Sequence, residues 1–236
     1  MYGYYWDPTY ILVIIGALIC MLASANVDAS MRKYKRVRNA RNMTGAEVAQ
    51  RILEANGIYD VRVECLQSGA LSGDHYDPRT KTVRLSYENY SFPSVTAAAV
   101  AAHECGHAKQ DNEDYMPLRI RSALVPVANF GSRFGLPLVI LGIILSFNQI
   151  LIQIGIWMFA LAVLFQFVTL PVEFNASRRG LEALSSTGIL GMEEETGAKK
   201  VLFAAALTYV AAAASSLLQL LRLSMISKSK TPAPSM

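Results

Sequence analysis

Cysteine is scarce in this chain, and a disulfide framework is therefore not expected. The 236 residues contain three cysteines, Cys20, Cys65 and Cys105, which show no paired spacing. Free thiols are typical of a reducing compartment, so they suit a folded domain in the cytoplasm. Charge is scarce as well: charged residues make up 17% of the chain against 53% hydrophobic residues, a balance that excludes an average soluble domain.

The hydrophobic residues gather into runs that almost lack charge, and these runs predict membrane spans. A helix needs about 20 apolar residues to cross a hydrocarbon core of about 30 Å. We assign spans to residues 9–25, to the second half of a helical region at 117–147, to 150–171 and to 201–223. Residues 227–236 follow the last span and are predicted to be a disordered tail.

A basic cluster directly after the first span sets the predicted orientation. Its members are Arg32, Lys33, Lys35, Arg36, Arg38 and Arg41. Positive charges concentrate on the cytoplasmic side of a span, whereas a signal peptide carries them before its apolar core. Residues 27–116 and 172–200 are therefore predicted to be cytoplasmic. The cluster holds most of the net charge of +4, which favours membrane orientation over nucleic-acid binding. Arg222, Lys228 and Lys230 disagree with a four-span count. Either the charge bias is weak there or the last run does not fully cross, so the side of the C-terminus stays open.

The stretch His103-Glu104-Cys105-Gly106-His107 matches the pattern H-E-x-x-H. In a helix, His103 and His107 lie one turn apart on the same face and can bind one metal ion. Glu104 points about 100° round the helix, beside the ion. The pattern is typical of zinc peptidases, in which the glutamate acts on a water molecule. Three protein ligands and a water form the open site of a catalytic zinc.

The neighbouring residues favour a helix over 94–110. Ser94 is a candidate N-cap, and alanine, the best helix former, dominates the segment that follows. Gly106 is less favourable than alanine inside a helix by about 1 kcal/mol, but a small residue there would let a neighbouring element approach the metal. Cys105 lies two residues before His107 and therefore faces away from the ligand side.

Residues 27–116 are predicted to form a small domain around this helix. A capping box, Thr44-Gly-Ala-Glu47, begins an amphipathic helix. Strands follow at 59–66, 70–76 and 82–86, with a turn after Asp77. Such a sheet suits a zinc peptidase, whose substrate commonly pairs with an edge strand. The predicted fold class is a multi-span α-helical membrane protein with a small α+β zincin-like cytoplasmic domain.

The third metal ligand must come from further along the chain. No histidine follows His107 and no aspartate lies within a span, and Asp111, Glu113 and Asp114 are too close along the same helix to reach the ion. The acids Glu173, Glu182 and 193–195 remain. Glu173 is favoured because it lies where the third span reaches the cytoplasmic surface. In a helix it shares a face with three small residues, which admit a second helix beside the carboxylate. These are Ala176, Ser177 and Gly180. The alternative is an ordinary interfacial acid paired with Arg178.

Together these residues resemble the YugP-type membrane zinc metallopeptidases, which are gluzincin-like and related in style to HtpX and the prenyl-protein proteases. The resemblance covers nearly the whole chain, through segments such as Asp7-Pro-Thr-Tyr10, Asp74-His-Tyr-Asp-Pro78, Leu170-Pro-Val-Glu173 and Ala204-Ala-Ala-Leu-Thr-Tyr-Val210. It implies neutral zinc endopeptidase activity, with one Zn²⁺ ion held by His103, His107 and Glu173 and with Glu104 as the base. HtpX-like relatives have an aspartate where this chain has Ser177, so we expect the residues around the ligands to be arranged differently.

Two classes of function are compatible with these residues. In the first, an enzyme, Glu104 takes a proton from a zinc-activated water and passes it to the leaving amine. Candidates for transition-state or substrate contacts are His75, Tyr76 and Arg178, although His75 is more simply a surface or turn histidine. In the second, a non-catalytic membrane protein uses a structural metal or binds partners. A structural zinc usually takes a fourth Cys or His, and Cys105 faces away, which favours the enzyme.

The expected partners follow from this interpretation. They are a protein or peptide substrate and the lipid bilayer, with a membrane-protein adaptor as a further candidate, and no nucleic acid. The protein is expected to be multi-pass in the cell membrane, with its active site on the cytoplasmic side. The physiological substrate, the cleavage specificity and the oligomeric state are not readable from the sequence.

Overall fold

A computed structural model describes residues 7–67 and 73–229 of the chain. The helices are α1 (Tyr10–Lys35), α2 (Gly45–Ala55), α3 (Tyr87–Ser91), α4 (Val95–Asn112), α5 (Met116–Ile144), α6 (Gln149–Thr187) and α7 (Met192–Ser229). The strands are β1 (Arg62–Cys65), β2 (His75–Asp77) and β3 (Thr82–Leu85). The chain is therefore mostly helical, with one small mixed sheet in the described part.

One compact unit consists of residues 24–119 and 170–207. Its sheet has the strand order β1-β3-β2, with β1 parallel and β2 antiparallel to β3, so that β2 is an edge strand. The capping box at the start of α2 is confirmed, because the Thr44 hydroxyl accepts from the Glu47 amide and the Glu47 side chain accepts from the Thr44 amide. Apolar side chains of α2, β3, α4 and the later helices share one core, to which Leu53, Leu85 and Leu184 contribute.

Helix α4 runs through this core and is buried along most of its length. It begins at Val95, and the Ser94 side chain accepts a hydrogen bond from the Ala97 amide, as the sequence predicts for an N-cap. The Cys105 thiol donates to the Ala49 carbonyl of α2, so this cysteine faces away from His103 and His107, again as predicted. Helix α4 thus has one face against α2 and presents its histidines on another.

A second compact unit contains the described parts of residues 1–23, 120–169 and 208–236. Within the described residues, α1, α5, α6 and α7 are long and apolar enough to cross a membrane by length and composition. Val139, Ile152 and Leu223 form a small core in this unit. Large apolar side chains also point outward: Ile144 is 72% exposed and Trp157 is 71% exposed. Outward apolar side chains on such helices are stable where the surrounding solvent is lipid.

The structure differs from the predicted boundaries in several places. Helix α6 continues without a break past Pro171, where the sequence suggested the end of a span, so the segment with Glu173 belongs to the same helix. The strand predicted at 59–66 is the shorter β1. The strand predicted at 70–76 is seen as β2 from His75; Gly73 and Asp74 are not strand, and residues 70–72 lie outside the described residues. Helix α7 includes the start of the predicted disordered tail, and residues 230–236 of that tail are not among the described residues.

Candidate metal centre

Helices α4 and α6 cross so closely that glycine is required on each of them. A Cβ atom at Gly106 would lie 2.2 Å from the Ala176 carbonyl oxygen, and one at Gly180 would lie 2.6 Å from the Ala102 carbonyl oxygen. Both contacts are with backbone, which cannot give way as a flexible side chain does. The glycine that seemed unfavourable inside α4 thus allows the approach of α6, as the sequence suggested.

This crossing brings three potential ligands together. The Nε2 atoms of His103 and His107 lie 3.3 Å and 3.6 Å from the same carboxylate oxygen, Oε2 of Glu173. The three ligand atoms all lie within 4.8 Å of one another. Glu173 is only 2% exposed, so its carboxylate is turned inward to the histidines. His103, His107 and Glu173 can therefore hold a single metal ion.

The distances from Glu173 to the two histidines fit a tetrahedral zinc ion. Zinc binds histidine nitrogen and carboxylate oxygen at about 2.0–2.2 Å, so two such ligands at a tetrahedral angle are about 3.3–3.6 Å apart. The separations of Glu173 Oε2 from the two Nε2 atoms fall in this range. Two imidazoles and one carboxylate are also a donor set that suits zinc and leaves a fourth position open.

The other nitrogen of each histidine is held by a polar side chain. His103 Nδ1 lies 3.0 Å from the Ser177 hydroxyl, and His107 Nδ1 lies 3.0 Å from Gln110 Oε1. The Gln110 amide nitrogen donates to the Val172 carbonyl at 2.8 Å and to Asn175 Oδ1 at 2.9 Å. These two acceptors fix the orientation of the amide, so Oε1 accepts from the Nδ1–H of His107. The Nε2 lone pair of His107 is then directed at the metal position.

Gln110 is a residue that the sequence analysis did not identify. It is completely buried and lies three residues after His107, on the same side of α4. The only sequence signal was this i, i+3 spacing, which many helical residues share. Ser177 was identified as a departure from the HtpX-like pattern, and the structure places its hydroxyl where a supporting group for His103 is needed.

We expect Ser177→Ala to weaken zinc binding about tenfold, the lower end of the range for loss of a group that orients a metal ligand. The reason is that His103 would lose the partner of its Nδ1 atom. The measurement is the zinc Kd, obtained by competition with a chelating dye. Ser186→Ala removes a hydroxyl from the exposed side of the same helix and is the control. Equal zinc affinities of the two variants would show that the Ser177 contact does not support the ligand.

Glu104 lies next to the first histidine and is almost completely buried, with 6% exposure. Burial raises the pKa of its carboxyl to about 7, while His103 and a hydrogen bond from the Tyr76 backbone amide act in the opposite direction. The amide comes from β2, the edge strand. Glu104 is therefore a carboxyl group held between α4 and the sheet, next to the first of the three potential ligands.

The three further candidates make their hydrogen bonds elsewhere. The Tyr76 hydroxyl donates to Asp111 at 2.8 Å, and burial together with this bond raises the pKa of Tyr76. His75 is the first residue of β2, and its Nδ1 donates to the Gly73 carbonyl at 2.8 Å. Arg178 lies 3.3 Å from Glu182 in an exposed ion pair, so its observed partner is Glu182.

The comparisons with known proteins agree with this geometry. The chain matches the model of a protein family described as "Putative neutral zinc metallopeptidase" over residues 9–228. It is 48% identical over 218 residues to the "Putative membrane protease YugP" of Bacillus subtilis (strain 168), an alignment that covers 92% of this chain and 96% of that protein. No solved structure matches the chain.

Proposed function

Because the chain belongs to the neutral zinc metallopeptidase family that it matches over residues 9–228, we propose that it is a membrane-anchored zinc endopeptidase with a gluzincin-type site. The proposal is based on one observation: the Nε2 atoms of His103 and His107 and a carboxylate oxygen of Glu173 lie close together, and the buried Glu104 lies beside them. In this proposal the small sheet and α4 form a zincin-like domain. The domain spans residues 27–116 and is completed by the segment 172–200.

Each residue has a defined role in this site. His103, His107 and Glu173 hold the zinc ion, and Ser177 and Gln110 keep the two imidazoles oriented. Bound zinc supplies activation of a water molecule and polarisation of a peptide carbonyl. Glu104 acts as the general base that accepts the proton of the attacking water and later delivers it to the leaving amine.

The edge strand β2 is the proposed track for the peptide substrate. Among residues 7–67 and 73–229, β2 pairs with β3 alone, and its Tyr76 amide already reaches Glu104. A substrate segment that extends along this edge would bring its carbonyl near the base through backbone hydrogen bonds. The hydrogen bonds of Tyr76 and of Lys81 to Asp111 tie β2 and the following turn to α4, and so keep this edge in position.

The alternative is a non-catalytic protein with a structural or partner-binding role. A structural zinc is usually closed by a fourth cysteine or histidine. Cys105 is buried with its thiol on the Ala49 carbonyl, and His75 bonds to the Gly73 carbonyl. Neither is directed at the three ligands, which supports the catalytic interpretation.

We expect the purified protein to contain about one zinc ion per chain and to cleave an unfolded casein substrate. Removal of zinc with 1,10-phenanthroline should abolish cleavage, and added Zn²⁺ should restore it while Mg²⁺ should not, because Mg²⁺ prefers octahedral oxygen ligands. The measurements are metal content and cleavage on the same samples. Undiminished cleavage by zinc-free protein would exclude a zinc peptidase.

We further propose that the active site faces the cytoplasm, because the basic cluster follows the first apolar helix. Cys65 on β1 is exposed and reports on this placement. We expect a membrane-impermeant thiol reagent to label Cys65 only after the membrane is permeabilised, with Cys65→Ser as the control for assignment. Labelling of Cys65 in intact cells would contradict the proposed orientation.

A further inference from the structure

The C-terminal part of α6 and the N-terminal part of α7 form a cavity of about 600 Å³ to which the proposed mechanism assigns no ligand. It lies between residues 174–185 of α6 and 192–206 of α7, all within one compact unit. Its volume is in the range of sites that bind small molecules. Two of its walls are formed by exposed aromatic side chains, since Phe174 is 42% exposed and Phe203 is 59% exposed.

Both helices present the same three types of side chain to the cavity at the same spacing. On α6 an aromatic residue, a cation and an acid follow one another at intervals of four residues, and on α7 the same three types occur in reverse order along the chain. These are Phe174, Arg178 and Glu182 on α6, and Phe203, Lys199 and Glu195 on α7. Four residues correspond to about 6 Å along a helix, so each helix presents one type per turn. The cavity therefore has an aromatic layer, a cationic layer and an acidic layer.

The layers have a direction relative to the apolar runs. Phe174 lies two residues past the apolar run of α6, which ends at Val172, and Phe203 lies within the first turn of the run of α7, which begins at Val201. The cations come one turn further from these runs, and the acids two turns further. Phenylalanine rings are apolar and suit the level of the acyl chains, and cations prefer the level of lipid phosphates.

From this order we infer that the cavity binds a glycerophospholipid with a zwitterionic phosphoethanolamine headgroup. The acyl chains would lie against Phe174 and Phe203, the phosphate between Arg178 and Lys199, and the terminal ammonium by Glu182 and Glu195. A phosphatidylglycerol headgroup has no cation for the acids, and a choline headgroup has no N–H donor for them. The ion pair between Arg178 and Glu182 competes only weakly with lipid binding, because exposed ion pairs contribute little free energy.

The cavity also reaches the metal centre through one residue. Ser177 is part of the lining, and its hydroxyl is the partner of His103 Nδ1. A lipid in the cavity would therefore contact the group that orients a proposed zinc ligand. Phospholipid bound here acts as a component of the site and not only as surrounding solvent.

The test uses the full chain in bilayer nanodiscs that contain phosphatidylethanolamine, phosphatidylcholine and phosphatidylglycerol in equal amounts. After transfer to detergent, native mass spectrometry counts the retained lipids of each class. We expect one phosphatidylethanolamine per chain in preference to the other two. Lys199→Gln should lower its retention about fivefold, the effect of one cation at the membrane surface, and Glu195→Gln should remove the preference over phosphatidylglycerol.

Matched controls are available on the same helix. Lys200→Gln and Glu193→Gln change neighbouring exposed residues outside the lining, and retention should stay at the level of the unchanged protein. Ser185→Trp should fill the cavity and exclude the lipid, whereas Ser186→Trp should not. Equal retention of the three lipid classes, or equal effects of the variants and their controls, would overturn the proposal.

Two further outcomes would also overturn it. Competition by soluble phosphoethanolamine at similar concentrations would mean that the acyl chains contribute nothing and that the ligand is a free headgroup. Absence of retained lipid, combined with loss of casein cleavage in Ser185→Trp alone, would assign the cavity to substrate. Because bound lipid is measured directly, the result is independent of whether the protein proves to be a peptidase.

Discussion

Glu173→Gln should release the zinc ion and abolish peptide cleavage together. The change removes the one anionic ligand and leaves two imidazoles, whose Nε2 atoms now lie 3.3 Å and 3.6 Å from the Glu173 oxygen. Loss of a group that merely supports a ligand lowers metal affinity by up to about 100-fold. Because Glu173 is itself a proposed ligand, we expect zinc affinity to fall by more than that. The measurement is zinc content per chain after dialysis against a mild chelator.

Glu182→Gln is the matched control for this variant. Glu182 lies on the same helix, nine residues further on, and is exposed and paired with Arg178. It should keep its zinc under the same dialysis, as should a triple glutamine variant at 193–195. If Glu182→Gln loses zinc while Glu173→Gln retains it, the third ligand lies two to three turns further along α6 and the proposed site is wrong.

Glu104→Gln should separate the two effects: the variant should retain its zinc and lose its activity. Glu104 is next to a ligand but is not one of the three converging residues. Removal of a general base lowers rates by about 10²–10⁴-fold, and an amide cannot take the proton of the attacking water. The measurements are casein cleavage per zinc-loaded chain and the zinc content of the same preparation.

The control for Glu104→Gln is Glu54→Gln, an acid on the exposed face of α2 whose side chain accepts from Gln50. It should leave both zinc content and cleavage unchanged. Near-normal cleavage by Glu104→Gln would contradict the proposed mechanism, and loss of zinc from it would show that Glu104 belongs to the ligand set.

Local sequence patterns predicted the elements whose contacts are close along the chain. The N-cap at Ser94, the capping box at Thr44 and the turn of helix between His103 and His107 each depend on residues three or four apart. Such contacts repeat from protein to protein because helix geometry is constant. The sequence also indicated Glu173 as a ligand, because this residue lies where an apolar run ends beside small residues.

Contacts between distant segments were harder to predict. The parallel pairing of β1 with β3, the short α3 and the bond between Tyr76 and Asp111 all depend on how the chain returns on itself. Tyr76 remains a candidate for a transition-state or substrate contact, and its hydroxyl donates to Asp111. The role of Gln110 likewise becomes visible only when the Val172 carbonyl of α6 is beside it.

The continuity of α6 has a consequence for the timing of synthesis. Glu173 follows His107 by 66 residues in the chain, and the apolar part of α6 precedes Glu173. At about 5–20 residues per second, the ribosome needs roughly 3–13 seconds to extend the chain from His107 to Glu173. During that interval the nascent chain carries the two histidines and Glu104 but lacks the proposed carboxylate ligand. In the proposed mechanism, the metal site is therefore complete only after the apolar part of α6 has been made.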